Sequence, residues 1–292
     1  MVLIIDECHR QRRGVPTVPD ERPPSTRIDT TRPSIARVYD AGLGGKDNYA
    51  VDRQVIEQVN AIAQHQTEVA WMNRSFLVRV VRYLSAQVGM DQFLDLGSGL
   101  PTVQNTHQVA QAHRPDARVV YVDNDPVCNA HGRALLEEND RTTFVEADLT
   151  GPKELLAHPE VTGNLDLSRP LVLMQIGTLH HVSDEQDPAA IMREYVDALP
   201  SGSYVAMTHF WDPGDENPDL HRVADEAQRR MGEAGMVTGW FRGRGEIGAL
   251  FGGLEPSPPG LVELHEWWPD GPATRELWPE EHLMLGGLAY KP

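Results

Sequence analysis

Cysteine is nearly absent: only Cys8 and Cys128 occur in 292 residues, far apart. That excludes a disulfide framework and a cysteine-based zinc site, and it suits a reducing cytoplasm. Positive charge is also scarce, with 26 Lys and Arg against 43 Asp and Glu and a net charge of −17. So acidic a chain repels a nucleic-acid backbone, leaving RRMGEAG and FRGRG as small basic exceptions. No apolar run approaches the roughly 20 residues of a membrane span. The opening MVLIID is too short for a signal-peptide core and meets an acid at once. No internal repeat is visible, and no His/Asp pair stands at metal-ligand spacing, so neither a metal nor a membrane partner is expected.

Apolar residues make up 40% of the chain, enough for the core of one large domain. Residues 1–32 are rich in Pro, Arg, Thr and Asp and lack an apolar period, as a flexible tail does. Residues 33–90 read as a helical cap, with helices expected over 34–40, 48–64 and 68–87. In the last, Val69, Met72, Phe76, Val80 and Leu84 fall near helical spacing. Over residues 91–292 strands and helices alternate. Strands are expected at 92–96, 118–123, 142–146, 170–176, 203–209, 261–266 and 282–290. Helices are expected at about 102–113, 126–139, 187–198, 219–234 and 244–251. Such alternation predicts an α/β fold with a seven-stranded, mainly parallel, Rossmann-like sheet. An insertion at about 211–243 exceeds the two to six residues of an ordinary αβ link.

The most informative stretch is QFLDLGSGLP (Gln92–Pro101) followed by VVYVDNDP (Val119–Pro126). An apolar strand runs into Gly97, Ser98 and Gly99, and the next strand ends on Asp123, about two dozen residues further on. Glycines there allow a sharp turn and close approach of a ligand to bare backbone. An acid at the next strand tip accepts hydrogen bonds from ribose hydroxyls. A dinucleotide fingerprint wants a third small residue where Thr102 stands, with Pro101 before it, which counts against a nicotinamide reductase. S-adenosylmethionine (SAM) has no phosphates but a sulfonium, an amino-acid tail and an adenosine. Asp95 suits its amino-acid end, Asp123 with Asn124 its ribose, and Asp148 with Leu149 its adenine. Asp148 could equally cap the following helix.

FLDLGSG, VVYVDNDP, FVEADL, TLHHVSD and ALPSGSYVAMTH follow one another as in class I SAM-dependent methyltransferases. With ARVYDAGLGGKDNYAVDR, QNTHQVAQ and LDLSRP, the chain resembles the actinobacterial S-adenosyl methyltransferase family, long catalogued as a domain of unknown function. The resemblance covers about residues 33–291. It implies the fold, an N-terminal helical cap, a last strand running antiparallel, and SAM as cofactor with S-adenosylhomocysteine as product. It names no acceptor.

GLGGKDNY (Gly42–Tyr49) either closes over SAM, bringing Tyr39, Gly45, Lys46 and Asn48 to it, or simply turns between two helices. Arg74 could pair with the SAM carboxylate or lie on the surface. LMQIGTLHHVSD ends the strand expected to face the reacting methyl, which places Gln175, His180 and His181 near the chemistry. His180, His181 and His209 are candidate general bases, each with a structural alternative. Phe210, Trp211, Arg242 and Arg244 could shape a pocket for an acidic acceptor. No Asn/Asp-Pro-Pro-Tyr/Phe motif follows the fourth strand, and no Pro-Cys nucleophile is present. The expected function is methyl transfer to an O, N or C nucleophile of a small molecule. The alternative is a SAM-binding regulator, or an enzyme that uses SAM for another reaction.

Overall fold

The computed structural model describes residues 29–60, 65–102, 104–135, 139–233 and 239–292. The expected flexible tail falls almost wholly outside them. Seven strands form one sheet: β1 Gln92–Leu96, β2 Arg118–Asp123, β3 Thr142–Glu146, β4 Val172–Ile176, β5 Tyr204–Phe210, β6 Val262–Glu263 and β7 Met284–Tyr290. Their order is β3-β2-β1-β4-β5-β7-β6, and only β7 runs antiparallel to its neighbours. The chain builds outward from β1 to β3, then crosses back to place β4 on the other side of β1. This reversal opens a crevice beyond the carboxyl ends of β1 and β4, where ligands of open α/β sheets lie.

Both faces of the sheet are covered, so its central strands are apolar throughout rather than alternating. Every residue of β1 is buried. Phe93, Val119, Tyr121, Phe144 and Met174 pack on one face with Phe76, Val80 and Leu84 from the N-terminal helices. Leu94, Val120, Leu173 and Val205 point the other way, against Ile191, Met192 and Tyr195.

The helices are α1 Ile35–Gly42, α2 Ala50–Asn60, α3 Gln66–Tyr83, α4 Thr106–His113, α5 Pro126–Leu135, α6 Pro152–Leu156, α7 Pro159–Asn164, α8 Pro188–Ala198, α9 Pro218–Glu233 and α10 Arg244–Ala249. A π-helical turn, Leu84–Val88, extends α3. The α1–α2 pair is pinned by a buried ion pair, Arg37 Nε to Asp52 Oδ2 at 2.9 Å.

Three departures from the sequence expectation have local causes. Helix α4 starts at 106 rather than 102, because Gln104 takes a left-handed backbone (φ 59°) and Asn105 turns its Oδ1 back to the Thr102 N–H. Helices α6 and α7 fill the β3–β4 crossover, each with Pro in its first turn. Strand β6 stops at Glu263 rather than 266, since Arg79 of α3 draws the chain away by donating to the Leu264 and Trp267 carbonyls at 2.6 and 3.0 Å. Among the described residues no helix is long and apolar enough to cross a membrane.

Candidate active site

A cavity of about 770 Å³ opens at the carboxyl ends of the strands and is roofed by α1 and α3. Its floor is the β1–α4 loop. Gly97 and Gly99 both adopt left-handed backbone, at φ 65° and 69°. The Gly97 and Ser98 N–H groups donate to the Val122 carbonyl at 2.8 and 3.0 Å, which lashes the loop to β2.

Acids surround this loop. Asp123 Oδ2 accepts from the Gly99 N–H at 2.8 Å, and its Oδ1 from the Asp125 N–H at 2.9 Å. The carboxylate also lines the cavity. Burial holds the Asp123 carboxyl above its usual pKa. Asp95 lies deeper, accepts from Thr106 Oγ1 at 2.6 Å, and is pushed up to about 6, chiefly by burial. Arg74 of α3 reaches the same wall and donates to the Gln104 carbonyl at 2.9 Å; burial lowers its pKa, and the Asp95 charge works against that fall. Asp148, exposed at the rim, accepts from the Thr150 N–H and hydroxyl, both at 2.8 Å, through one oxygen. Its other oxygen has no part in that turn.

Tyr39, Arg74, Asp95, Gly97, Ser98, Gly99, Asp123, Asn124, Asp148, Leu149, His180 and His181 all line this cavity. Gly45, Lys46, Asn48, Gln175 and His209 lie outside its wall. The first group of outliers has a clear cause. Asp40, buried at the end of α1, accepts from the Asp47 N–H at 3.0 Å and from Asn48 Nδ2 at 2.8 Å. A Cβ at Gly45 would sit 2.0 Å from Asp40 Oδ1. The glycines of this segment therefore let the chain wrap Asp40, while Lys46 faces solvent. Gln175 is fully buried and accepts from Thr178 Oγ1 at 2.5 Å.

His209 is fully buried. Its Nδ1 bonds to the Phe210 carbonyl at 2.7 Å, so it carries the proton, and its Nε2 accepts from Arg242 Nη1 at 2.8 Å. Both nitrogens are spent, and burial drives its pKa down to about 3. Arg242 also donates to the Leu179 and Val182 carbonyls and to Asp184. Trp211 is buried in the core, with the Arg244 guanidinium 4.8 Å over its ring. The expected acidic-acceptor pocket of Trp211, Arg242 and Arg244 is thus a structural brace between β5 and the insertion. Replacing Trp211 with phenylalanine is expected to cost roughly 1–3 kcal/mol of stability in urea unfolding, with SAM affinity unchanged.

The cavity also holds residues the sequence did not single out. Asn73 Oδ1 accepts from Thr208 Oγ1 at 2.7 Å, and Thr208 accepts from the Gly177 N–H at 2.8 Å. Asn73 Nδ2 donates to the Tyr39 hydroxyl at 3.3 Å, which in turn donates to the Ala70 carbonyl at 3.1 Å. This chain of bonds sets α1 and α3 over the ends of β4 and β5. Asp125, whose Oδ1 caps α5 at the Val127 N–H, receives the Ser34 hydroxyl from the roof. Asp125 followed by Pro126 signals a helix start, so its second contact is invisible in the sequence.

The chain matches the family described as S-adenosyl methyltransferase over residues 21–292. No match is found among curated proteins. Of solved structures, a candidate methyltransferase from Thermobifida fusca YX is 43% identical, with a TM-score of 0.83 over 92% of this chain and 98% of that one. A DUF574 family protein from Streptomyces avermitilis MA-4680 is 36% identical, with a TM-score of 0.84 over 91% of this chain and 100% of that one. Crevice, sheet order and sequence agree, and the chain belongs to the S-adenosyl methyltransferase family, SAM-dependent methyltransferases with a Rossmann-like sheet.

Proposed function

We propose that the protein transfers the SAM methyl group to a small, uncharged acceptor with an apolar or aromatic body. One observation carries this reading: a single cavity runs from acidic strand tips to an end that, among the described residues, is apolar and uncharged. Asp148 follows β3 and Asp123 ends β2, whereas Phe210 and Met284 sit on β5 and β7. Neighbouring strands are about 4.8 Å apart, so a cavity reaching from β3 to β7 is long enough for a nucleoside at one end and an acceptor at the other. SAM would lie over β3, β2 and β1, with ribose on Asp123, adenine near Asp148 and Leu149, amino group on Asp95 and carboxylate toward Arg74. Its sulfonium would then face β4. SAM brings the activated methyl; the chain supplies alignment, which is the larger part of catalysis for so good a leaving group.

The acceptor end is built from Ile176, His180, Phe210, Met231 and Met284. Phe210 stacks on His180 at 3.7 Å and on Phe241 at 4.8 Å. Burial, with His181 beside it, holds the His180 pKa well below its ordinary value, so the ring is neutral. Its Nδ1 is screened from solvent and makes no hydrogen bond. With that nitrogen closed off, the neutral ring stacked on Phe210 offers an acceptor a flat surface to pack on, so its part is to align the acceptor rather than to take its proton. The buried free thiol of Cys128 suits a reducing compartment such as the cytoplasm.

The test is S-adenosylhomocysteine formation from SAM with fractionated small-molecule extracts. His180→Ala and Phe210→Ala should each lower turnover by about tenfold or more while SAM affinity stays within about threefold, because they touch the acceptor side only. Parallel loss of SAM binding would move both residues to the cofactor site.

Asp95 makes SAM binding pH-dependent. With its pKa raised to about 6, the free protein is protonated there below pH 6, and a cationic ammonium must displace that proton. Calorimetry should find the affinity falling as the pH drops through 6, with a loss approaching tenfold per pH unit below it. Asp95→Asn should flatten the profile; an identical slope in that variant would remove Asp95 from the site.

A further inference from the structure

The sheet edge farthest from β3 carries a second constellation. Glu263 ends β6, His265 follows two residues later, and His282 ends a 3-10 turn, Pro279–His282, just before β7. Straight after β6 the chain turns, with the Glu266 N–H donating to the Glu263 carbonyl at 2.9 Å, which keeps His265 beside Glu263, and the pairing of Glu263 with Leu285 draws His282 alongside them. Nδ1 of His282 stands 2.6 Å from Glu263 Oε2, and Nδ1 of His265 stands 3.4 Å from the same oxygen. One ligand atom from each residue lies within 4.8 Å of the other two. The imidazoles meet edge to face at 5.7 Å. All three side chains are half-buried, and His265 Nδ1 is screened from solvent without making a hydrogen bond. Nothing in the linear spacing marks this trio, because its third member comes from the far end of a long loop.

We propose that Glu263, His265 and His282 bind a divalent transition-metal ion of the zinc type, which clamps the neck of the 264–283 loop. Two imidazoles and one carboxylate favour zinc, cobalt or nickel over magnesium and calcium, which take oxygen ligands. Zinc sits about 2.0–2.2 Å from such donors, which sets them roughly 3–3.5 Å apart. His265 already keeps that spacing from Glu263, and His282 must withdraw by less than about 1 Å. With three protein ligands a coordination position remains for water.

The clamp has something to hold. Residues 264–283 form a long connection whose only regular piece is the turn that bears His282, and connections of this length ordinarily have a function or a restraint. The loop sends Trp267 into the core against Phe76 of α3, at 5.0 Å, and returns the chain to Met284 on the cavity wall. A metal joining its two ends shortens the loop that must be closed on folding and fixes the start of β7.

The experiment uses the full chain, free of any affinity tag and stripped with a chelator, titrated with zinc chloride in a calorimeter and with cobalt chloride in a spectrophotometer. One equivalent of zinc should bind, and cobalt should develop the visible bands of a four- or five-coordinate ion. H282A and E263Q should each weaken zinc binding by more than about tenfold, in protein whose circular dichroism is unchanged. Hydrogen exchange across 264–283 should slow on adding zinc. Absence of cobalt bands in the wild-type chain, which no folding defect can explain, overturns the site. Equal zinc affinity in H282A overturns it too, and unchanged exchange in the loop overturns the clamp.

Discussion

Asp123→Ala is expected to weaken SAM binding by about 30- to 1,000-fold, the equivalent of roughly 2–4 kcal/mol for a lost pair of charge-assisted hydrogen bonds. The carboxylate ends β2, lines the cavity, and is held in place there by the Gly99 and Asp125 N–H groups. It is costly to keep buried, as its raised pKa records. Ribose hydroxyls would recover that cost, since they donate to the charged form. Part of the loss will come from the loop itself, which Asp123 ties down through Gly99. Asp123→Asn separates the two contributions. It keeps one acceptor for the loop but removes the charge, and it should retain more stability than alanine while still binding SAM poorly. Calorimetry with SAM and S-adenosylhomocysteine, beside urea unfolding of each variant, reads both quantities. A folded Asp123→Ala protein with undiminished SAM affinity would sink the ribose assignment.

The sheet was legible because buried parallel strands are uninterrupted apolar runs. FLDL, VVYV and VLMQI admit little else, and each lies between turn residues. The glycine loop and the three strand-tip acids were legible for a related reason: backbone geometry and a polar residue at a strand end leave marks within a few residues. What escaped was set by contacts distant in sequence. His209 looks like a strand-end base until Arg242, from beyond α9, takes its Nε2. Arg242 and Arg244 look like anion ligands until the carbonyls of Leu179, Val182 and Leu261 claim them. The glycines of GLGGKDNY suggest a loop that moves over a ligand, yet their immediate partner is the carboxylate of Asp40. Asn73 gives no local signal at all, since its role consists of partners on α1 and β5.

Gly97 and Gly99 are expected to fail in different ways when a side chain is added, and the difference is the sharpest test of where the cofactor lies. Both have positive φ, so any L-residue pays about 1–2 kcal/mol for that backbone alone. At Gly97 a Cβ would also meet Thr178 Cγ2 at 2.5 Å and Leu149 Cδ2 at 3.3 Å. Those neighbours belong to the packed ends of β4 and the β3–α6 link, so Gly97→Ala should lower stability in the absence of any ligand. At Gly99, which lines the cavity, a Cβ meets nothing within 4 Å. Gly99→Val should therefore fold with little more than the backbone penalty, and yet lose SAM binding by at least about 1,000-fold, some 4 kcal/mol, since the side chain would occupy the space where the cofactor approaches bare backbone. Melting curves with and without SAM resolve the pair. The expected result is a low melting point for Gly97→Ala, and a near-normal one for Gly99→Val that SAM no longer raises. If SAM still raises the melting point of Gly99→Val as it does that of the wild type, the cofactor does not lie on this loop, and the acids around it must be read as structural.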